Sequence, residues 1–315
     1  MIHNFSHRAL AAAKSALPNA IKTSIWVVKI TLAVSFAILF LKYFNIVPWI
    51  SRYASPVFYH LGLPGEASLA FLSGYFTNVY TAIAVAVSLN LDPRTMTIVG
   101  VMALCAHNMI TETLVQKKTG TNAWWIAFVR TAAAFVLAAV LNLIMGGEVV
   151  SNNVTHYTQE QLEFLPLLKE WAITSFWLVL KMVTLIISLS ILQKLLNEFG
   201  IIAALSKVLG PVMTFFGLGR KTSFLWIVAN TLGLAYGAAI MIDEARSGNI
   251  SKRDIDCLNT HICSSHSNLE DLFLVSSIGA IWWIVLVSRW CFSFAIVWLL
   301  RAYYFIKDKK AASAA

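Results

Sequence analysis

The chain has 315 residues, of which 58% are hydrophobic and 12% are charged. An ordinary soluble domain has about 45–50% apolar and about 25% charged residues. The mean hydropathy of +0.72 and several long apolar stretches therefore exclude a soluble domain and predict a multi-span helical membrane protein. A transmembrane barrel would show short alternating segments instead, and the sequence has none that we recognise.

The excess of 24 Lys and Arg over 15 Asp and Glu gives a formal net charge of +9. We assign this excess to cytoplasmic loops, which collect basic residues, and expect no nucleic-acid partner. Residues 1–22 are basic but too polar for the core of a cleavable signal, which predicts a cytoplasmic amphipathic N-terminus. No disulfide framework is expected, because all cysteines lie in apolar or helical stretches, namely Cys105, Cys257, Cys263 and Cys291.

The sequence contains an internal repeat, seen as four matches in the same order. In one match His107 aligns with His266 and Glu112 aligns with Asp271. The matched strings are TSIWVVK (23–29) with TSFWLVLK (174–181), PVFYHLGL (56–63) with PVMTFFGL (211–218), CAHNMITET (105–113) with SSHSNLEDL (264–272), and WWIAFVR (124–130) with WWIVLVSR (282–289). We therefore assign a first repeat at 23–146, a linker at 147–167, a second repeat at 168–305 and a basic cytoplasmic tail at 306–315.

Each repeat is predicted to contain the same five elements in chain order. They are an apolar span (about 23–45 and 168–197), a shorter amphipathic segment (about 48–60 and 200–215), a glycine-marked apolar segment (about 64–90 and 218–246), a polar-centred helix (about 95–117 and 252–276) and a last span (about 122–146 and 278–305). Asp92 and Ser251 stand where the N-caps of the polar-centred helices are expected.

The charges of the connecting segments predict the topology. Both termini are basic, whereas the linker carries Glu148, Glu160, Glu163 and Glu170 against Lys169 alone. The termini are therefore expected inside and the linker outside, which requires an odd number of crossings in each repeat. Our prediction is an all-α membrane protein of two inverted repeats, each with three transmembrane spans, one interfacial helix and one re-entrant hairpin.

Two glycine-marked segments, GLPGEASLAFLSGYFTNVYTA (62–82) and GLGRKTSFLWIVANTLGLAYGAA (217–239), each precede a polar helix with a central histidine. They resemble the Gate, or nucleoside recognition, domain of concentrative nucleoside transporters, of the membrane part of ferrous iron transporter B and of spore maturation proteins A and B. The resemblance covers about 23–305 and implies a substrate held between hairpin tips and the unwound centres of the polar helices. No GxxxxGK[ST] motif is present, and Thr77-Asn78 and Asn230-Thr231 stand where nucleoside transporters have an acidic motif.

Polar residues of the hairpins and of the polar-centred helices form the predicted substrate site. Non-helical backbone at membrane depth must be buried in protein or face a water-filled cavity. The hairpin candidates are Ser73, Tyr75, Thr77, Asn78, Thr81, Asn230, Thr231 and Tyr236. The helix candidates are His107, Asn108, Thr111, Ser264, Ser265, His266, Asn268 and Glu270, with Thr111 and Glu270 expected one helical turn after the histidines. The alternative is that these small and polar groups only pack helices together.

Two charged pairs recur at equivalent places, Glu112 with Arg130 and Asp271 with Arg289. We expect each pair to join consecutive helices, because a lone charge at membrane depth is costly. The alternative is that the arginines attract an anionic substrate. On a continuous helix Cys257 and His261 would face away from Cys263 and His266, so no closed metal site is predicted. A transient metal path through His107, Cys263, His266 and Glu270 stays open.

These features predict a secondary transporter in the cell (inner) membrane, multi-pass, with both termini in the cytoplasm. It would move a small polar solute, with a nucleoside-like compound as one candidate, by alternating access coupled to Na⁺ or H⁺. No cofactor is expected, and a homo-oligomer is left open. The alternatives are a non-transporting membrane subunit of the spore-maturation type and a divalent metal permease. An enzyme is not expected, because no nucleophile and base arrangement and no HExxH motif is recognised.

Overall fold

The computed structural model describes residues 2–146, 163–231 and 233–314, with only the backbone for residues 2–5, 235, 236 and 314. The regular structure within these ranges is helical throughout. Residues 147–162, which are most of the predicted linker, lie outside the described residues, and the chain becomes helical again at Phe164.

The first repeat folds in the predicted order of elements. Its helices are α1 (Ile2–Tyr43), α2 (Ile46–His60), α3 (Ala67–Phe76), α4 (Val79–Ser88), α5 (Pro93–Ala106), α6 (Met109–Lys118) and α7 (Ala123–Met145). The helices of the second repeat are α8 (Phe164–Glu198), α9 (Ile201–Val208), α10 (Gly210–Phe215), α11 (Ser223–Thr231), α12 (Gly233–Arg246), α13 (Lys252–Ser265), α14 (Asp271–Ser277) and α15 (Trp282–Ala314), with a 3₁₀ turn at Arg220–Thr222.

The predicted N-caps of the polar-centred elements are confirmed. The Asp92 carboxylate accepts hydrogen bonds from the backbone N–H groups of Arg94 and Thr95, at 2.9 and 3.1 Å. The Ser251 hydroxyl accepts one from the backbone N–H of Asp254 at 3.1 Å. Caps of this kind stabilise a helix by about 1 kcal/mol each, so they define where α5 and α13 begin.

The long first helices of the two repeats, α1 and α8, pack together in opposite directions. The Arg8 Nε atom lies 2.9 Å from Glu198 Oε1, near the start of α1 and the end of α8. Towards the other end, Trp171 Nε1 donates a hydrogen bond to Ser35 Oγ at 3.1 Å. Helix α1 begins at Ile2 and continues through Pro18 into the apolar span, so residues 2–22 of the predicted N-terminal segment share one helix with that span.

Among the described residues, five helical segments are long and apolar enough to cross a membrane, and one of them, Pro93–Lys118, consists of α5 and α6 together. The other four are Ser6–Tyr43, Ala123–Met145, Phe164–Glu198 and Trp282–Ser313. Three spans were predicted in each repeat, so the polar-centred element of the second repeat is missing from this set. Its first helix, α13, begins with charged residues, and the side chains from Cys257 to Ser265 are all buried in the protein. A helix enclosed by protein needs no apolar surface, so hydropathy alone does not mark it as a span.

Candidate functional site

Each repeat contains two elements that a short break divides into two consecutive helices, and the breaks fall at matching places in the two repeats. Thr77 and Asn78 separate α3 from α4, and His107 and Asn108 separate α5 from α6. In the second repeat α11 ends at Thr231 and α12 begins at Gly233, while residues 266–270 separate α13 from α14. The prediction of one continuous polar-centred helix in each repeat is therefore wrong, whereas the unwound centres implied by the family resemblance are present.

The local sequence explains why the chain breaks at these points. The Asn78 side chain caps α4 by accepting a hydrogen bond from the backbone N–H of Thr81 at 3.1 Å. Asn108 and Ser267, which are equivalent residues, adopt positive φ angles of 49° and 55°. Asn tolerates this left-handed conformation better than most residues. Gly233, with φ of 74°, starts α12 in the same backbone region, where glycine carries no Cβ penalty.

Equivalent hydrogen bonds connect each break in a polar-centred element to its hairpin. The backbone N–H of Asn108 donates to the carbonyl oxygen of Gly74 at 2.9 Å. In the second repeat the backbone N–H of Ser267 donates to the carbonyl oxygen of Ala229 at 3.1 Å. Backbone groups that leave the helical ladder are thus paired within protein, which is the condition for irregular backbone at membrane depth.

Two fully buried arginines support the same breaks. Arg130 Nε donates to the carbonyl oxygen of Cys105 at 3.0 Å, and Arg289 Nε donates to that of Ser264 at 2.7 Å. Their Nη2 groups donate to the carbonyl oxygens of the two histidines, His107 and His266. These carbonyls belong to the ends of α5 and α13, where a helix leaves its last C=O groups without intrahelical partners.

The predicted charged pairs behave differently in the two repeats. Arg130 Nη2 lies 2.6 Å from Glu112 Oε2. Among the described residues no ion pair joins Asp271 to Arg289; Arg289 Nη1 instead donates to Asn268 Oδ1 at 3.3 Å. Asp271 Oδ2 lies 3.5 Å from the Nε2 atom of His107. The expected pair of Asp271 with Arg289 is therefore absent from the described residues. Arg289 donates to Asn268 instead, and Asp271 contacts His107 of the other repeat.

The two histidines meet at the centre of the molecule. Their ring centroids are 5.3 Å apart. Glu112 lies between them, with Oε1 at 3.2 Å from His107 Nε2 and Oε2 at 3.2 Å from His266 Nε2. All of these side chains are buried, so one histidine and one carboxylate from each repeat form a compact ionisable cluster.

A cavity of about 380 Å³ borders this cluster. All four helix breaks contribute to its wall, with Asn78, Val79 and Tyr80; His107, Asn108 and Glu112; Gly233 and Leu234; and Ser267, Glu270 and Asp271. Helix α1 closes one side with Asn19, Lys22, Thr23 and Trp26. The starts of α4, α6 and α12 therefore face the cavity, and helix N-termini carry partial positive charge. The volume lies within the range of small-molecule sites, about 300–1,000 Å³.

A second cavity of about 250 Å³ shares Asn19, Thr23 and Glu270 with the first. It extends between α1 and α8 to Gln193, Lys194 and Asn197 near the end of α8. The two cavities are thus adjacent, and the second one extends from Glu270 towards the N-terminal half of α1.

The cavity wall contains only part of the predicted site, namely Asn78, His107, Asn108 and Glu270 with the charged Glu112 and Asp271. Asn230 and Asn268 are hydrogen-bonded to each other beside it, and the Thr231 hydroxyl donates to Ile227 at 2.7 Å. The other candidates point elsewhere: Ser73, Thr77 and Thr81 bond within the hairpin, Tyr75 contacts Thr131, Ser264 contacts Ser293, Ser265 contacts His261, and Thr111 is exposed on α6. The side chain of Tyr236 lies outside the described residues.

The predicted site did not include several residues of the cavity wall, among them Tyr80, Ser267 and the polar residues of α1. Tyr80 donates a hydrogen bond to Glu270 Oε1 at 2.5 Å and so connects the first hairpin with the second repeat. Its position two residues after the hairpin tip was the available signal. The polar residues of α1, Asn19 and Thr23, were assigned to a cytoplasmic lead-in or to the start of a span, and nothing in their spacing marked them as cavity residues.

Comparison with known proteins identifies the family. A family model described as Gate, nucleoside recognition, matches residues 24–117 and 179–281. The chain is also 30% identical over 265 residues to the uncharacterized membrane protein YvoD of Bacillus subtilis (strain 168), covering 83% of this chain and 85% of that protein. No solved structure matches. With both polar-centred elements inside the matched segments, this membrane protein belongs to the Gate family.

Proposed function

We propose that this protein is a secondary transporter that moves a small polar solute across the cell (inner) membrane by alternating access. The observation that carries the proposal is the convergence of four interrupted helices on one cavity at the centre of the molecule. Interrupted helices that expose polar backbone to a midplane cavity are the usual way in which secondary transporters bind substrate.

The proposed architecture is a pair of inverted repeats, each with a re-entrant hairpin. The antiparallel packing of α1 against α8 supports the inversion, since these are the first elements of the two repeats. Helices α3 and α4 have 10 residues each, which at about 1.5 Å per residue spans about half of a bilayer core of about 30 Å. They pack against each other, as expected for a hairpin that enters and leaves on one side.

The proposed orientation places both termini in the cytoplasm. Lys14, Lys22 and Lys307 belong to the terminal segments. Lys194 lies near the end of α8, which packs beside the start of α1, so all four basic residues agree with the positive-inside rule. In this orientation the second cavity, which adjoins the central cavity and reaches Lys194, lies on the cytoplasmic side.

The cavity residues suggest how solute and ion are bound together. Asn78, Tyr80 and Glu270 supply amide, hydroxyl and carboxylate groups to a polar solute. His107 lies in the cavity wall and His266 is buried behind it, beside His107 and Glu112. Histidine is the side chain that gains or loses a proton near neutral pH. We therefore propose proton coupling at the histidines, with Na⁺ as the alternative coupling ion.

The experiment is a ligand screen followed by uptake. The purified chain is heated with nucleosides and small dicarboxylates, with and without Na⁺ and across pH, because a ligand of the native state raises the melting temperature. A compound that stabilises the protein is then offered in radiolabelled form to proteoliposomes. We expect saturable uptake that responds to an imposed pH or Na⁺ gradient.

A matched pair of variants tests the location of the site. Tyr80→Phe removes the hydroxyl that contacts Glu270 in the cavity, whereas Tyr59→Phe removes the same atom from an exposed residue of α2. We expect Tyr80→Phe to reduce uptake at least several-fold and Tyr59→Phe to leave it unchanged. A protein that binds nothing in the screen and gives proteoliposomes no uptake above empty vesicles would contradict transport and favour a non-transporting membrane subunit.

A further inference from the structure

The hydrogen bonds of the two central histidines determine which ring nitrogen faces the cluster. His107 Nδ1 lies 3.0 Å from the carbonyl oxygen of Ala103, and His266 Nδ1 lies 2.8 Å from that of Ile262. A carbonyl oxygen can only accept a hydrogen bond, so each Nδ1 carries a proton and donates. In a neutral imidazole the other nitrogen, Nε2, then presents a lone pair. Both lone pairs face the Glu112 carboxylate.

The centre of the cluster therefore consists of groups that attract a cation. His107 Nε2 lies 3.2 Å from Glu112 Oε1 and 3.5 Å from Asp271 Oδ2. His266 Nε2 is fully buried and has no hydrogen-bond partner in the structure, although Glu112 Oε2 is 3.2 Å away. Two acceptors at this distance repel each other unless a proton or a metal ion lies between them.

The ligand atoms also have the spacing of a coordination sphere. One nitrogen of each histidine and one oxygen of Asp271 lie within 4.8 Å of one another. A tetrahedral ion with bonds of about 2.0–2.2 Å has ligands about 3.3–3.6 Å apart, and the 3.5 Å between His107 and Asp271 already fits. The backbone carbonyls that accept from both Nδ1 atoms are the outer contacts that usually orient metal-binding histidines.

We propose that His107, His266 and Asp271 bind one divalent transition-metal ion at the wall of the central cavity. Glu112 provides a further oxygen beside it, while its ion pair with Arg130 keeps that carboxylate in place. This inference rests on the proposed function and deepens it, because the metal ion would compete with the proposed coupling proton for the Nε2 atoms of the two histidines.

The ligand types select the class of metal. Two imidazoles and a carboxylate suit ions such as Zn²⁺, Fe²⁺ and Co²⁺, whereas Mg²⁺ and Ca²⁺ prefer oxygen ligands alone. The nearby charges permit a divalent ion, since the cluster and the cavity wall contain three carboxylates, Glu112, Glu270 and Asp271, against two buried guanidinium groups, those of Arg130 and Arg289. Lys22 of the same cavity is solvent-exposed. Protons compete for the same lone pairs, so metal binding releases protons.

The test measures binding directly on the full chain without a polyhistidine tag. Co²⁺ is added to metal-free protein in detergent, and its visible absorption reports nitrogen and oxygen coordination, while calorimetry with Zn²⁺ gives the stoichiometry. We expect one ion per chain, weaker binding as the pH falls from 8 towards 6, in the range where histidine protonates, and no competition by a large excess of Mg²⁺.

Variants separate the proposed site from other histidines. We expect His107→Gln, His266→Gln and Asp271→Asn each to weaken Co²⁺ binding at least tenfold. His261→Gln is the matched control, because His261 is an equally buried histidine of α13 that contacts Trp226 and Ser265 rather than the cavity. Asp271→Asn preserves side-chain shape and tests the site even if a histidine variant fails to fold.

The outcomes distinguish this inference from the proposed function. Absence of bound Co²⁺, or equal loss of binding in His261→Gln, overturns the metal site. Uptake of an organic solute by protein that binds no metal would leave the transporter standing and remove only the metal. Binding of one Co²⁺ ion without uptake of any compound would keep the metal site and contradict transport.

Discussion

Two buried arginines, Arg130 and Arg289, provide hydrogen-bond donors to the carbonyl groups at the ends of α5 and α13. The ends of α5 and α13 lie inside the protein and leave carbonyl groups without helical partners. Each unpaired group in a low-dielectric interior costs several kcal/mol. Arg130 and Arg289 donate to two such carbonyls each. A guanidinium suits this task because it carries five N–H donors in a fixed plane, and positive charge is favourable at a helix C-terminus.

Loss of one of these guanidinium groups should therefore destabilise the fold. In Arg130→Met the carbonyls of Cys105 and His107 lose their donor, and Glu112 loses its nearest positive charge. Breaking a buried pair by removing one partner typically costs about 3–5 kcal/mol, and we expect a loss of this size in denaturant unfolding of the purified protein.

The control for this prediction is an arginine in a solvated ion pair. Arg253 contacts Asp308 at 2.6 Å on the exposed surface, where solvent screens the interaction. Arg253→Met should leave the unfolding midpoint nearly unchanged. Equal midpoints for the two variants would show that the buried hydrogen bonds of Arg130 are not important for stability.

At the scale of elements, local sequence signals predicted where helices begin but not where the polar-centred helices break. The caps at Asp92 and Ser251 are local, so a single sequence reveals them. The interruption at His107 depends on distant partners, Gly74 and Arg130, that compensate the lost helical hydrogen bonds. Periodicity gives no information about such partners, so the sequence alone predicted one continuous helix through the break.

The hairpin of the first repeat requires close contact between its two helices. A Cβ atom placed on Gly74 would lie 2.8 Å from the Cβ atom of Ala82, which is attached to the α4 backbone and cannot rotate away. We expect Gly74→Ala to destabilise the protein by about 1–3 kcal/mol through overpacking. The same change should lower ligand binding, since the Gly74 carbonyl accepts from Asn108 at the cavity.

Gly100→Ala in α5 provides the matched comparison. The nearest side-chain atoms to a Cβ placed on Gly100 lie 3.7 Å away, which is an ordinary contact distance, so the substitution should be neutral or slightly stabilising. Thermal unfolding of both variants checks the prediction. If Gly74→Ala were as stable as wild type and bound ligand normally, tight packing in the hairpin would not be a requirement.

At the scale of the whole molecule, the repeat was the most informative sequence feature, because it predicted that equivalent residues from both halves meet. His107 and His266 were paired by alignment and do lie together. The bond from Tyr80 to Glu270 and the position of Asn19 in the cavity wall were not predictable, since both depend on how α1 and the hairpin pack against the other repeat. A single sequence contains periodicity and spacing but not these distances.

The cavities predict which parts of the molecule are reached from each side of the membrane. Asn19 lines both the central cavity and the second cavity, which reaches Lys194, whereas Asn90 is exposed at the opposite end, near Glu170 of α8. In a Cys291→Ser background, whose remaining cysteines are buried, Asn19→Cys should react with a membrane-impermeant maleimide only from the cytoplasmic side. Asn90→Cys should react only from the other side. Bound solute should slow labelling of Asn19→Cys and leave Asn90→Cys unaffected, and labelling of both positions from one side would contradict the proposed orientation of the cavity.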